Sequence, residues 1–293
     1  MPANPLLSPQ QALLVSGIAN SFFFGVLTVQ VYNHYLAFPQ ESLQLRFVVN
    51  AIYLLQTFEA IVVYYRDYLQ LALAGTSSTA DMAGKTSGIE LVITAVTMST
   101  VQFYYANSIR LVSKKLIFSW LIICCSILQL QAGIALAVMT FRQVNSPSSG
   151  RVARYESLIW HFANAVCDVM IAACMTYYLM RYYSHTQRTQ RIIKRVVWWM
   201  VKTGTVITIV TLGCSSLFFS AQNHSNFNTI YTSIIGALYS NSLLALVNGR
   251  VVYRVRVDRP PSALAFVRPM VPQSEDELSV FDVRKNSAEG LPL

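Results

Sequence analysis

Residues 116–141 read LIFSWLIICCSILQLQAGIALAVMTF, without one Asp, Glu, Lys or Arg. Roughly twenty helical residues at about 1.5 Å each cross a hydrocarbon core, so this stretch alone is long and apolar enough to span a bilayer. In lipid, backbone N–H and C=O groups must be bonded within the segment, which makes the span an α-helix. Basic residues bracket it, with Lys114 and Lys115 before and Arg142 after.

Working outward, six more runs of this kind lie at about 12–36, 47–73, 89–110, 156–181, 196–220 and 228–250. The expected fold is an all-α integral membrane protein, a bundle of seven transmembrane helices. The second run is the least uniform, because Arg66 and Asp67 interrupt it, and they are expected to mark the outer interface. Composition agrees: 54% of residues are hydrophobic and only 12% charged, against roughly 25% charged in soluble domains. The net charge of +9 falls between the apolar runs, not on a soluble domain, which argues against nucleic acid as a partner.

Lys and Arg gather in cytoplasmic loops, and their distribution sets the orientation. With the N-terminus outside, the inner segments hold Arg46; Arg110, Lys114 and Lys115; Arg181, Arg188, Arg191, Lys194 and Arg195; and Arg250, Arg254, Arg256 and Arg259. The outer segments hold only Arg66, Lys85, Arg142, Arg151 and Arg154. The sequon Asn223-His224-Ser225 falls in the expected outer loop between the last two spans, which makes Asn223 a candidate glycosylation site. Met1 to Gln11 carries no Lys or Arg, so the first span is expected to be an uncleaved anchor.

The expected organisation is a short extracellular N-terminus over 1–11, the transmembrane domain over 12–250 and a disordered cytoplasmic tail over 251–293. The tail is rich in Pro, Ser and mixed charge and cannot bury enough apolar surface to fold. Its Arg250 to Arg259 stretch is a candidate contact for anionic lipid, with topology-setting charge as the plainer reading. Ser274 and Ser287 are candidate kinase sites. The five cysteines, Cys124, Cys125, Cys167, Cys174 and Cys214, lie inside the apolar runs and are read as small packing residues. Gly17, Ser21 and Gly25 in the first span, and Gly204, Thr208, Thr211 and Ser215 in the sixth, form strips along which another helix can approach closely.

An ionisable side chain in mid-span costs about 2.5–3.5 kcal/mol on insertion scales, so each one asks for a partner or a purpose. Glu59 lies mid-way along the second span, near the face carrying Gln56. His161, Asn164 and Asp168 share a face of the fifth span by their spacing of three and four. Lys202 sits one to two turns inside the sixth, where it could also snorkel to the interface. Asn241 and Asn248 share a face of the seventh. These residues are the candidate network for binding a ligand or relaying a proton; the plainer reading is a hydrogen-bond network that holds the bundle together. No metal site and no cofactor are expected, because only His161 among the four histidines lies within a span and a zinc centre needs about three converging ligands. His-Glu-x-x-His, a Gly-x-Ser-x-Gly elbow and a phosphate-binding Gly-Lys loop are all missing from the sequence, so an enzyme is not expected.

Several local patterns share one resemblance. They are Leu55-Gln56-Thr57 leading to Tyr65-Arg66, Gln102-Phe103-Tyr104-Tyr105-Ala106, Leu128-Gln129 with Ala132-Gly133, and Cys167-Asp168 with Tyr177-Tyr178-Leu179. Further on come Thr203-Gly204 and Tyr239-Ser240-Asn241-Ser242-Leu243-Leu244 with Asn248 and Arg250. Over about residues 12–255 the chain resembles a large fungal family of seven-helix membrane proteins, domain-of-unknown-function family 6534. It departs from the family pattern at Ser108 and Lys202. The resemblance implies architecture and a fungal source, and supplies no chemistry. A receptor-like sensor of the plasma membrane is the first expectation for function, a small-solute or proton transporter or channel the second, and a non-catalytic structural membrane protein the third. Membrane lipids are the expected partners.

Overall fold

The structure is a computed structural model that describes residues 8–73, 77–113, 116–143, 150–182, 209, 213 and 225–249. Six long α-helices account for nearly all of them: α1 (Pro9–Ala37), α2 (Leu43–Ala72), α3 (Ser77–Ser113), α4 (Leu116–Gln143), α5 (Gly150–Tyr182) and α6 (Ser225–Asn248). There is no strand among the described residues. The first five helices contain the first five expected spans except for residue 73 at the end of the second, and α6 contains most of the seventh. The sixth span, with Lys202 and its strip of small residues, lies outside the described residues apart from the isolated helical positions 209 and 213, as do Asn223 and the 251–293 tail.

Local signals explain the first helix start. Ser8 caps α1, with its Oγ accepting from the Gln11 backbone N–H at 3.3 Å and the Gln11 side chain accepting from the Ser8 N–H at 2.9 Å. This is a capping box, and Pro9 occupies the first turn, where its missing N–H costs nothing. Among the described residues, five helices are long and apolar enough to cross a membrane, namely α1, α2, and the segments Leu116–Arg142, Ile159–Tyr178 and Asn228–Asn248 of α4, α5 and α6. α3 has the length but is too polar to join them. The reason is its position, since it packs against α2, α4, α5 and α6 and so buries Thr94, Thr97, Ser99 and Gln102 in the centre of the bundle. It also begins twelve residues before the span expected from position 89, because a polar start with an Asp81–Lys85 ion pair of helical spacing extends it.

Burial is inverted relative to a water-soluble protein. Phe22 is 65% exposed and Phe47 75%, whereas Glu59 is 0% exposed and Arg66 2%. Large apolar side chains facing outward around buried charged ones is what a lipid solvent selects. Four cysteines, Cys124, Cys125, Cys167 and Cys174, are free thiols on α4 and α5. Only Cys167 is fully buried, and Cys124 faces outward.

Interhelical contacts give the direction of each helix. Along α1 and α2, Gly17 meets Asp67, Ser21 meets Tyr64 and Phe24 stacks on Tyr53, so the two are antiparallel. The same holds for α3 on α4, where Ala95 meets Gly133 and Gln102 meets Gln129, and for α4 on α5, where Gly133 meets Trp160 and Phe118 meets Tyr178. α6 runs the other way from an alternating successor to α5. His161, Asn164 and Asp168 pair in order with Asn228, Tyr231 and Tyr239, which makes α5 and α6 parallel. Asn20, Phe23 and Gln30 of α1 likewise pair in order with Ser233, Asn241 and Asn248. Thus α1, α3, α5 and α6 start at one end of the bundle, here called the entry end, and α2 and α4 start at the other.

Candidate functional site

Toward the entry end, the guanidinium of Arg66 uses all five of its N–H donors. Nε and one Nη donate to Asp67 Oδ1 at 3.0 and 2.7 Å, and the same Nη donates to Ser16 Oγ at 3.2 Å. The other Nη donates to Glu90 and to Ser233 Oγ, the latter at 3.2 Å. Ser233 Oγ lies 2.7 Å from the remaining Glu90 oxygen, and Asn20 Nδ2 donates to the Ser233 carbonyl at 2.7 Å. One side chain thereby ties together α1, α2, α3 and α6. Gly17 makes room for it, since a Cβ there would lie 2.8 Å from Asp67 Oδ2.

Arg66 and Asp67, expected at the outer interface of the second span, lie in the last two turns of α2. α2 continues to Ala72, and both residues are buried because Glu90 of α3 supplies the opposite charge. Glu90 was missed because it lies one residue inside the expected third span, where a lone acid reads as a boundary charge. A base and an acid near the facing ends of consecutive spans are the only signal sequence offers for such a pair.

About two turns deeper along α2, Glu59 accepts from Gln56 Nε2 at 2.6 Å and from Thr94 Oγ1 at 3.1 Å. Its other close neighbour is Gly236 of α6, where a Cβ would stand 2.7 Å from Oε2. Only a residue without a side chain lets the two helices meet there.

The third group lies between α5 and its neighbours. Asn164 Oδ1 accepts from Tyr239 O–H at 2.8 Å and from Gln102 Nε2 at 3.3 Å, and Asn164 Nδ2 donates to Tyr231 Oη at 3.4 Å. Tyr239 O–H also reaches Asp168 Oδ2. Gln102 Nε2 donates to Gln129 Oε1 at 2.6 Å, which brings in α4. His161 Nε2 faces Asn228 Oδ1 at 3.2 Å, and its ring meets Tyr231 edge-on with centroids 4.5 Å apart.

His161, Asn164 and Asp168 do share one face of α5, and each reaches α6. Glu59 meets α6 within one turn of Tyr239, yet it shares no hydrogen-bond partner with Asp168. Asn241 turns away from both, because two residues of helix carry it about 200° around the axis from Tyr239. Its Nδ2 bonds the Phe23 and Ala237 carbonyls at 3.0 and 2.7 Å, joining α6 to α1, and Asn248 does the same at Gln30 with 2.8 Å. Sequence reading quoted Gln102, Gln129 and Tyr239 only as parts of family patterns; their shared role in one network needed the helix arrangement. Among the described residues, no group of three His, Cys, Asp or Glu side chains could hold a metal ion.

Apolar helix exteriors around buried charged and amide networks define an integral membrane protein of the polytopic α-helical class. Residues 164–252 match the model of a family of unknown function, DUF6534, and the family reading made from the sequence stands on that match. The matched segment contains Asn164, Asp168, Tyr231, Tyr239, Asn241 and Asn248. No curated protein and no solved structure matches the chain.

Proposed function

We propose that this chain is a non-catalytic seven-helix sensor of the plasma membrane, with its N-terminus outside, that signals by repositioning α6. The observation that carries the reading is that buried polar cross-links from four helices converge on α6. They come from α1 at Asn20 and Phe23, from α2 at Arg66, from α3 at Glu90 and Tyr105, and from α5 at Asn164 and Asp168. A helix held by many directional contacts has a few discrete positions rather than a continuum, and a ligand that prefers one of them shifts the population.

The parallel course of α5 and α6 supports the seventh helix. α5 finishes at the end of the bundle opposite the one where α6 starts, and the run expected from sequence between them, 196–220, has the length that one more crossing needs. The sequon at Asn223 immediately precedes α6 in sequence, α1 and α6 both start at the entry end, and the segments expected inside carry most of the Lys and Arg. Arg250, Arg254, Arg256 and Arg259 directly follow α6, where anionic headgroups of the inner leaflet would attract them at about 1 kcal/mol each.

A structural role is favoured by one observation: among the described residues, Glu59 and Asp168 each rest on their own partners and share none. Spin labels at Phe47 and Gly249, both at the far end, separate the two readings in the reconstituted protein. A sensor gives two distance populations, and a single narrow one contradicts it. In the same proteoliposomes an imposed pH gradient, followed by an enclosed dye, is expected to decay as in protein-free vesicles. Faster decay would replace sensing by transport.

A further inference from the structure

Tyr239 has one hydroxyl hydrogen and two acceptors. It lies 2.8 Å from Asn164 Oδ1 and also bonds Asp168 Oδ2. With Asp168 ionised, one of those acceptors goes without a hydrogen from Tyr239. A single proton added to Asp168 removes the conflict: the carboxylic O–H donates to the Tyr239 oxygen, and Tyr239 passes its own hydrogen to Asn164.

A second consistent arrangement needs no added proton. The O and NH2 ends of an amide have nearly the same shape, so an amide can be turned end for end in place, which for Gln102 moves the buried end without a hydrogen-bond partner from Oε1 to Nε2. Turning the three amides lets Gln129 Nε2 and Asn164 Nδ2 both donate to Gln102 Oε1. The other Asn164 hydrogen then goes to the Tyr239 oxygen, Tyr231 donates to Asn164 Oδ1, and Tyr239 gives its hydrogen to the ionised Asp168. The heavy-atom contacts at 2.6, 3.3, 2.8 and 3.4 Å are the same in both arrangements. The donor and acceptor roles along the chain and one proton differ, and the turned Gln129 gives up its 3.8 Å contact from Nε2 to Met98 Sδ.

We propose that Asp168 is a proton-binding site whose occupancy sets the direction of a hydrogen-bond chain through Gln129, Gln102, Asn164 and Tyr239, across α4, α3, α5 and α6. The proton is taken from bulk water and returned to it. Among the described residues, the titratable groups around Asp168 are Tyr239 on α6, Tyr105 on α3 and its own neighbour Cys167, against which Cys125 of α4 lies. None of these is basic, and Asp168 forms no ion pair among the described residues. The chain is buried on four helices, so its reversal is felt by α3 and α6 together. The inference goes beyond the sensor reading and holds whether the bundle senses, transports or only supports a membrane.

Infrared difference spectroscopy of the full chain in lipid nanodiscs, between acidic and alkaline buffer, tests it. The expected spectrum shows loss of a carboxylic C=O band, with a paired change in Gln and Asn side-chain bands at the same midpoint. D168N removes both signals, and Q102L keeps the carboxylic band while losing the amide pair. Labelling the wild-type chain with 13C-aspartate moves the carboxylic band, which keeps the test decisive if D168N does not fold. The proposal is overturned if the band ignores the label, survives in D168N, is absent, or titrates while the amide bands stay constant.

Discussion

Arg66→Ala is expected to lose about 3–5 kcal/mol of stability, the range for removing one partner of a buried ion pair. Interhelical polar contacts in membrane proteins average only about 0.6 kcal/mol, so the choice of scale matters. The larger one applies here because, among the described residues, Arg66 is the sole cation against Asp67 and Glu90 in their cluster. Without it, the buried carboxylates of Asp67 and Glu90 lose the charge they are paired with. Five hydrogen bonds to α1, α2, α3 and α6 go with it. The triple variant R66M/D67N/E90Q, which removes the charges together, is expected to recover more than half of the loss. Thermal unfolding of the nanodisc-embedded variants reads both effects. An R66A variant within about 0.5 kcal/mol of wild type would mean that the cluster does not hold the bundle.

Gly133→Ala is expected to cost about 1–3 kcal/mol by overpacking. The added Cβ would stand 2.7 Å from the Cβ of Ala95 and 3.1 Å from Trp160 Nε1. Carbon atoms rest about 3.5–4.0 Å apart, so close to 1 Å of separation is required. Ala95 has no rotamer to yield, and the strain therefore parts α3 from α4. Gly25→Ala is the matched control. Nothing lies within 4 Å of a Cβ there, and the helix-propensity gain of up to about 1 kcal/mol is unopposed. Opposite signs for the two substitutions are the expected result, read as shifts in the unfolding midpoint; a neutral G133A would show that α3 and α4 are not held at that distance.

The contrast between those glycines marks what the sequence can carry. Small residues every fourth position identify a face on which a helix could pack, and Gly17 and Ser21 of that strip do meet Asp67 and Tyr64 of α2. Periodicity does not say where along the strip the neighbour comes close, and Gly25 faces open space. The apolar runs were legible because lipid selects length and apolarity in each helix independently of its neighbours. The extension of α3 back to Ser77 was not, since its polar first turns carry no apolar pattern.

The candidate site divides in the same way. Spacings of three and four place His161, Asn164 and Asp168 on one face, because helix geometry alone decides that. Which helix that face meets depends on bundle order, and Tyr239 became its partner only once α5 and α6 were seen to be parallel. The partner of Arg66 was not legible, because its balancing Glu90 is 24 residues away on another helix.

The central claim is a seven-helix membrane topology with the N-terminus outside and the tail in the cytoplasm. It is tested most directly by placing one epitope tag before Ser8 and another after Arg259, then probing intact and permeabilised cells. The predicted result is an N-terminal tag accessible on intact cells and a tail tag reached only after permeabilisation. Both tags on one side would contradict the odd number of crossings, and with it the account of α6 as a helix parallel to α1.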